Sequence, residues 1–129
     1  MGQDYVEKRQ YFRVPVDMVP CRLQILSIQG TKVNIDKEIF GHIANVSAGG
    51  LLVQAALDLP VDKKFVVKAF FRLQGESFAL EASIVRQEVH GDVFRYGMRF
   101  DNMIDRDRVR LLRVLSRLQV KQKGKERQT

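Results

Sequence analysis

From Val19 onward the sequence alternates apolar with polar residues in short runs separated by glycine-bearing turns, a pattern that favours half-buried strands over helices. Cys21, Leu23 and Ile25 fall on one face and Arg22 and Gln24 on the other, and Leu26 interrupts the alternation. A turn at Gln29-Gly30 leads to a short extended stretch, Ile39 to Val46 reads as a strand, and Gly49-Gly50 breaks the chain before Leu51 to Ala55. Phe65 to Leu73 pairs with Ser77 to Glu88 across Gln74-Gly75, and Val93 to Phe100 returns across His90-Gly91-Asp92. These runs predict about six antiparallel strands. With Phe65, Phe70, Phe71, Phe78, Phe94 and Phe100 among them, the strands can close on themselves and remove the edges that would recruit other chains. The predicted fold class is therefore mainly all-β, a six-stranded antiparallel β-barrel.

The ends of the chain read differently. A polar arm over residues 1–13 meets Pro15, and Val14 before that proline is biased toward an extended conformation, against a helix running into the body. After Phe100, Asp101 and Asn102 offer N-cap side chains and Asp105 and Asp107 suit a first helical turn, so a C-terminal α-helix is predicted to about Gln122. Leu111, Leu115 and Leu118, flanked by Leu112 and Val114, form an apolar stripe that packs on the barrel mouth, with Arg106, Arg110, Arg113 and Arg117 facing elsewhere. A partner-binding or membrane-surface helix is the alternative for that stripe. One domain, barrel plus helix over residues 14–122, is expected, followed by a basic disordered tail over residues 123–129.

Composition narrows the function. The 129 residues carry a formal net charge of +7, which calls for an anionic partner or a solubilising tail. The runs are too short to cross a bilayer and the first residues lack the apolar stretch of a secretory signal, so a cytoplasmic location is expected. A single cysteine, Cys21, reads as a buried inert thiol, and His42 and His90 stand apart with neither metal-ligand spacing nor a nucleophile beside them. Neither an enzyme nor a metal or cofactor site is expected.

Two segments resist a purely structural explanation: Arg9-Gln10-Tyr11-Phe12-Arg13 in the arm and Asn45-Val46-Ser47-Ala48-Gly49-Gly50 at the end of a strand. Together they resemble the PilZ family, recognised by RxxxR followed by (D/N)xSxxG, with Arg9, Arg13, Asn45, Ser47 and Gly50 filling the five positions. Tyr96-Gly97-Met98-Arg99-Phe100 looks like that family's last strand, and a helix commonly follows there. The resemblance runs from Lys8 to Leu118. It implies a six-stranded barrel that binds the bacterial second messenger cyclic di-GMP, with the arm wrapping onto the ligand. It also implies that the residue before the first arginine, here Lys8, bears on whether one ligand or an intercalated pair is held. Family members pass the signal to flagellar motors, polysaccharide synthases or other regulators, so an effector protein is expected.

The chemistry of these residues suits that ligand. Cyclic di-GMP presents two phosphodiester anions and two guanines, whose O6 and N7 match an arginine fork. Residues four apart in an extended chain lie about 13 Å apart on one side, so Arg9 and Arg13 can reach different parts of one nucleotide. Asn45 can accept from a guanine's Watson-Crick edge and Ser47 can donate to a phosphate or purine acceptor. Gly50, with Gly49, would let the backbone approach the ligand or adopt a positive φ.

Each feature also has a plainer reading. Arg9 and Arg13 can be solvated charges, Asn45 to Gly50 an ordinary turn, Phe12 an anchor for the arm, and Arg99 a surface charge. Two other functions compete: a nucleic-acid-binding barrel, for which most aromatics fall on core-facing positions, and a PilZ-like module that docks a protein without ligand. The protein is expected to act as a monomer or dimer.

Overall fold

Pro15 restricts Val14 to the extended region, and the first strand, β1 (Val14–Ile28), begins there. The computed structural model describes residues 13–34 and 36–128. After β1 come β2 (Thr31–Lys32), β3 (Glu38–Val46), β4 (Gly50–Ala55), β5 (Phe65–Leu73), β6 (Glu76–His90), β7 (Val93–Phe100) and one helix, α1 (Asp105–Gln128). All pairings are antiparallel, in the order β1-β3-β4-β7-β6-β5, and β5 returns to β1. Six strands therefore close a barrel, as the pattern predicts. The two-residue β2 is an addition that folds back on the end of β1.

The turns explain why the hairpins form where they do. Gln29 and Gly30 have φ of 53° and 81°, and Gln74 and Gly75 have 51° and 78°. Positive φ at both central residues matches the right-handed twist of the flanking strands, and glycine at the second position adopts it without steric cost.

Inward-facing residues fill the barrel. Leu23, Ile43, Val53, Val67, Ala69 and Ala82 are fully buried. Phe71 and Phe78, paired across β5 and β6, stack with ring centroids 5.3 Å apart. Tyr96 is buried and its hydroxyl is satisfied: it accepts from the Leu59 amide at 2.8 Å and donates to the Leu57 carbonyl, which pins the β4–β5 connection to the barrel. Strict alternation sends Phe70 outward between Ala69 and Phe71, and Phe40 points to solvent as well.

Cys21 lies in this interior, and burial pushes its thiol up to about 11, partly offset by a hydrogen bond with the Gly41 backbone.

The helix departs from expectation at both ends. Asp101 and Asn102 do not cap it, because the carbonyl of Ile104 takes the Arg108 amide at 3.1 Å and opens the helix three residues later than Asp101. Asp101 is instead turned back to the barrel, where its amide donates to the Glu81 carbonyl and its carboxylate accepts from the Ser83 hydroxyl. Asn102, at φ 52°, makes the left-handed bend between strand and helix. At the other end α1 continues past Gln122 to Gln128, through lysines, glutamate and glutamine that favour helix.

Leu111, Val114 and Leu115 are buried and Leu118 packs beside them, while Leu112 faces solvent. Arg110, Arg113 and Arg117 are not simply solvated, since all three converge on Glu76 at the start of β6. Arg110 also lies over the Phe78 ring, 4.5 Å from its centroid. Among the described residues no helix is long and apolar enough to cross a membrane.

Candidate functional site

A strand one residue out of phase with its core would bury its polar side chains. Ile39, Gly41 and Ile43 of β3 face inward, so unbroken alternation would turn Asn45 inward as well. A register shift between Ile43 and Asn45 prevents this: Asn45 pairs with the outward Leu52, and Val46 takes the inward position opposite Leu51. The same device recurs in β6, where a shift between Ile84 and Arg86 sets Arg86 opposite Gly97 on the outside. Two β-bulges thus aim Asn45 and Arg86 at the same outer surface.

Register then builds a row across four strands: Asn45, Leu52, Gly97, Arg86. Leu52 is 8% exposed although it faces away from the core, and with Gly97 it forms the floor of a cleft. The Arg86 side chain lies directly across Gly97, where a Cβ would stand 2.9 Å from its Cγ and 3.0 Å from its Cζ. Glu88 holds Arg86 through a 3.2 Å contact to Nε, and hydrogen bonds from His90 and then Arg86 keep the Glu88 carboxyl below its ordinary range.

The cleft, about 830 Å³, gathers Arg13, Asn45, Ser47, Gly49 and Gly50. It brings together every predicted site residue that the structure describes. Lys8 and Arg9 lie outside the described residues. Asn45 makes no side-chain hydrogen bond among the described residues, so its amide is available to a ligand.

Ser47 and the glycines are differently employed. The Ser47 Oγ accepts from the amides of Gly49 and Gly50, both at 3.1 Å, and the Ser47 amide donates to the Gly50 carbonyl at 2.9 Å. The hydroxyl therefore closes the turn on itself, and its own proton is directed at the Gly50 carbonyl at 3.5 Å, a contact long enough to yield to an outside acceptor. Neither Gly49 nor Gly50 has a positive φ, contrary to one expectation. Gly50 is demanded by β7: a Cβ there would stand 1.8 Å from the Met98 carbonyl oxygen. The Gly49 carbonyl accepts from the Phe100 amide at 2.9 Å and ties the turn to the same strand.

Three further arginines line the cleft: Arg86, Arg99 and Arg108. Sequence reasoning passes over Arg86 and Arg108 and treats Arg99 as a surface charge as readily as a contact. Only Arg99 carried a signal, by alternating with core residues on the last strand. With Arg13 they make four guanidinium groups, and the lining contains no carboxylate, histidine or cysteine. Asp101 stands behind Arg99 at 3.5 Å. Among the described residues no group of three or more His, Cys, Asp or Glu is placed to hold a metal ion. Such a cleft, cationic with an apolar floor and an amide at one side, is equipped to bind an anion that also has a flat apolar body.

The PilZ domain profile matches residues 7–117. Among curated proteins none matches this chain in sequence. Several solved structures share its fold. The crystal structure of YcgR from Escherichia coli in complex with c-di-GMP superposes with a TM-score of 0.70 at 20% identity, covering 94% of this chain and 50% of that one. The PilZ domain of YcgR with c-di-GMP gives 0.65 at 16% identity, covering 95% of this chain and 99% of that one. The Bacillus subtilis inhibitor of motility (MotI/DgrA) gives 0.68 at 20% identity, covering 91% and 52%. The chain thus spans about half the length of full YcgR and of MotI/DgrA. At these identities the likeness is one of fold. A profile match over most of the chain, on a barrel of the same architecture, shows that this protein belongs to the PilZ domain family.

Proposed function

We propose that the chain is a cyclic di-GMP receptor, and that the acid-free cleft shared by Arg13, Asn45 and the Ser47 turn is its binding site. The observation that carries this reading is the meeting of Arg13 with Asn45, Ser47, Gly49 and Gly50 in one cleft lined by four arginines and no carboxylate. Membership of the PilZ family, and the capture of c-di-GMP by YcgR of the same fold, support it.

In this reading Arg9 and Arg13 clamp a phosphodiester and a guanine edge from the arm, with Lys8 beside them. Asn45 hydrogen-bonds the second recognition edge, and Ser47 donates its proton outward while its oxygen holds the turn. Gly49 and Gly50 shape the turn. Arg86 and Arg99 meet the ligand from the barrel wall and Arg108 from the helix, while a purine lies on Leu52 and Gly97. Ligand binding draws the arm over the barrel and creates a surface for a cytoplasmic effector protein. The role is regulatory and not enzymatic.

Isothermal titration with cyclic di-GMP, GTP and single-stranded DNA tests the proposal. Binding of the cyclic dinucleotide alone is expected, with a loss on the order of 2 kcal/mol in Arg13→Ala at unchanged melting temperature. Unaltered affinity in that variant, or a null titration on folded protein, would refute it.

A further inference from the structure

The barrel wall away from the cleft carries a second outward row. Register sets Phe40 of β3 beside Arg22 of β1, Arg22 beside Phe70 of β5, and Phe70 beside Ala79 of β6. Phe40 is 71% exposed. The Arg22 guanidinium lies 4.5 Å from the Phe70 centroid, and the Lys68 ammonium approaches the same ring at 5.8 Å.

A groove of about 690 Å³ opens beside this row. Pairing between β1 and β5 runs from Ile28↔Phe65 only as far as Cys21↔Phe71, so Val19, Pro20 and Arg72 lie beyond the last rung and the seam parts there. The lining is mainly apolar, and its charged residues are Arg22 and Arg72. Arg22 is paired with Glu38, whereas Arg72 donates only to the Gly75 carbonyl at 3.3 Å and has no ion-pair partner among the described residues. An exposed ring, Phe40, beside a half-buried one and two arginines is the composition of an interface hot spot.

We propose that this groove docks an acidic segment of a partner protein, with an apolar side chain seated on the exposed ring of Phe40 and a flanking carboxylate on Arg72. Charge decides among occupants. A second copy related by a two-fold axis would set this patch, with its Arg22 and Arg72, against a patch of the same charge. A single nucleic-acid strand needs successive free rings, and Arg22 already covers one face of Phe70. An acidic segment meets both the free guanidinium and the apolar seam. The groove shares no lining residue with the cyclic di-GMP cleft, so the two readings stand or fall separately.

A phage-displayed random peptide library, selected on the full chain and counter-selected on Phe40→Ser, tests the surface. Enriched peptides are expected to join an aromatic or aliphatic residue to aspartate or glutamate. A synthetic copy should bind the wild-type chain about thirty-fold tighter than Phe40→Ser or Arg72→Glu, and more weakly as salt rises. Both variants should keep their melting temperature and their cyclic di-GMP titration. If Phe40→Ser fails to fold, Arg72→Glu carries the comparison. The proposal is overturned if no peptide enriches, if enriched peptides lack acids, or if they bind the variants equally. Dimerisation, or binding of oligothymidylate, that is lost in Phe40→Ser would assign the face to another occupant and equally overturn it.

Discussion

Ser47, Gly50 and Asn45 stand within six positions of one another and do three different jobs. Ser47 supplies the acceptor for two backbone amides, so Ser47→Ala leaves both without it and is expected to cost about 1–2 kcal/mol of stability. Gly50→Ala drives a methyl into the Met98 carbonyl and forces β4 from β7, at a cost of about 3 kcal/mol. Asn45→Ala removes a side chain with no hydrogen-bond partner among the described residues, so its melting temperature should hold while cyclic di-GMP affinity falls about tenfold. Thermal melts beside titrations separate the three, and equal destabilisation in Asn45→Ala would return that residue to the turn. The motif could not reveal this division, because a ligand contact and a self-closing turn both call for serine followed by glycine. Cys21 offers a pH test at the same scale. Its folded thiol ionises near 11 against 9.0 for an ordinary one, so only the unfolded chain releases a proton between these values. Stability should therefore fall as pH rises from about 9 toward 11, and Cys21→Ala should flatten that slope in denaturant titrations. A slope identical in the two proteins would mean that the thiol is not held neutral by burial.

Strands and hairpins were legible because their signals are local: alternation, and a glycine at each tight turn. The bulges in β3 and β6 were not, since nothing in Ile43-Ala44-Asn45 or Ile84-Val85-Arg86 marks an extra residue. They follow from the cost of burying an amide or a guanidinium in an apolar barrel, which only the closed sheet imposes. For this reason Asn45 was recognised through its motif alone and Arg86 was missed. The helix was legible in its buried stripe, but the partner of its arginines was not, because Glu76 reaches them from a distant hairpin. Glu76 is shared by Arg110, Arg113 and Arg117, and Arg110 has a second carboxylate in Asp107 at 3.1 Å, which leaves the arrangement unequal. Glu76→Gln would leave Arg113 and Arg117 without this carboxylate beside an Arg110 still paired with Asp107, and about 1 kcal/mol of destabilisation is expected after solvent screening of these partly exposed groups. The deficit should shrink as salt is added, whereas Arg117→Ala alone should change the melt little, two partners remaining. A salt-independent deficit would point to packing of the Glu76 stem instead.

The helix also joins the two parts of the proposed site. Near its start Arg108 lines the cleft, and further along the Gln122 side-chain amide donates to the Pro15 carbonyl at 2.7 Å, beside the root of the arm. Pro15 itself is held in the barrel wall, paired with Asn45, so any closure of the arm over ligand must turn about residues that precede Val14. Hydrogen exchange with and without saturating cyclic di-GMP can locate that pivot. Amides from Gln3 to Arg13 are expected to slow, together with those of the first turn of α1 that Arg108 draws toward the ligand. Amides of β1 from Val19 onward, already within the paired sheet, should exchange alike in both conditions. If protection instead spread along β1 and α1 stayed unchanged, the barrel wall and not the arm and helix would carry the response. Gln122→Ala then distinguishes a rigid mount from a moving one. Because the Pro15 carbonyl is fixed by the sheet in both states, losing the bond should lower the melting temperature equally with and without ligand, and leave affinity unchanged. A gain in affinity of about fivefold, the worth of one released hydrogen bond, would show that closure breaks the contact between helix and strand.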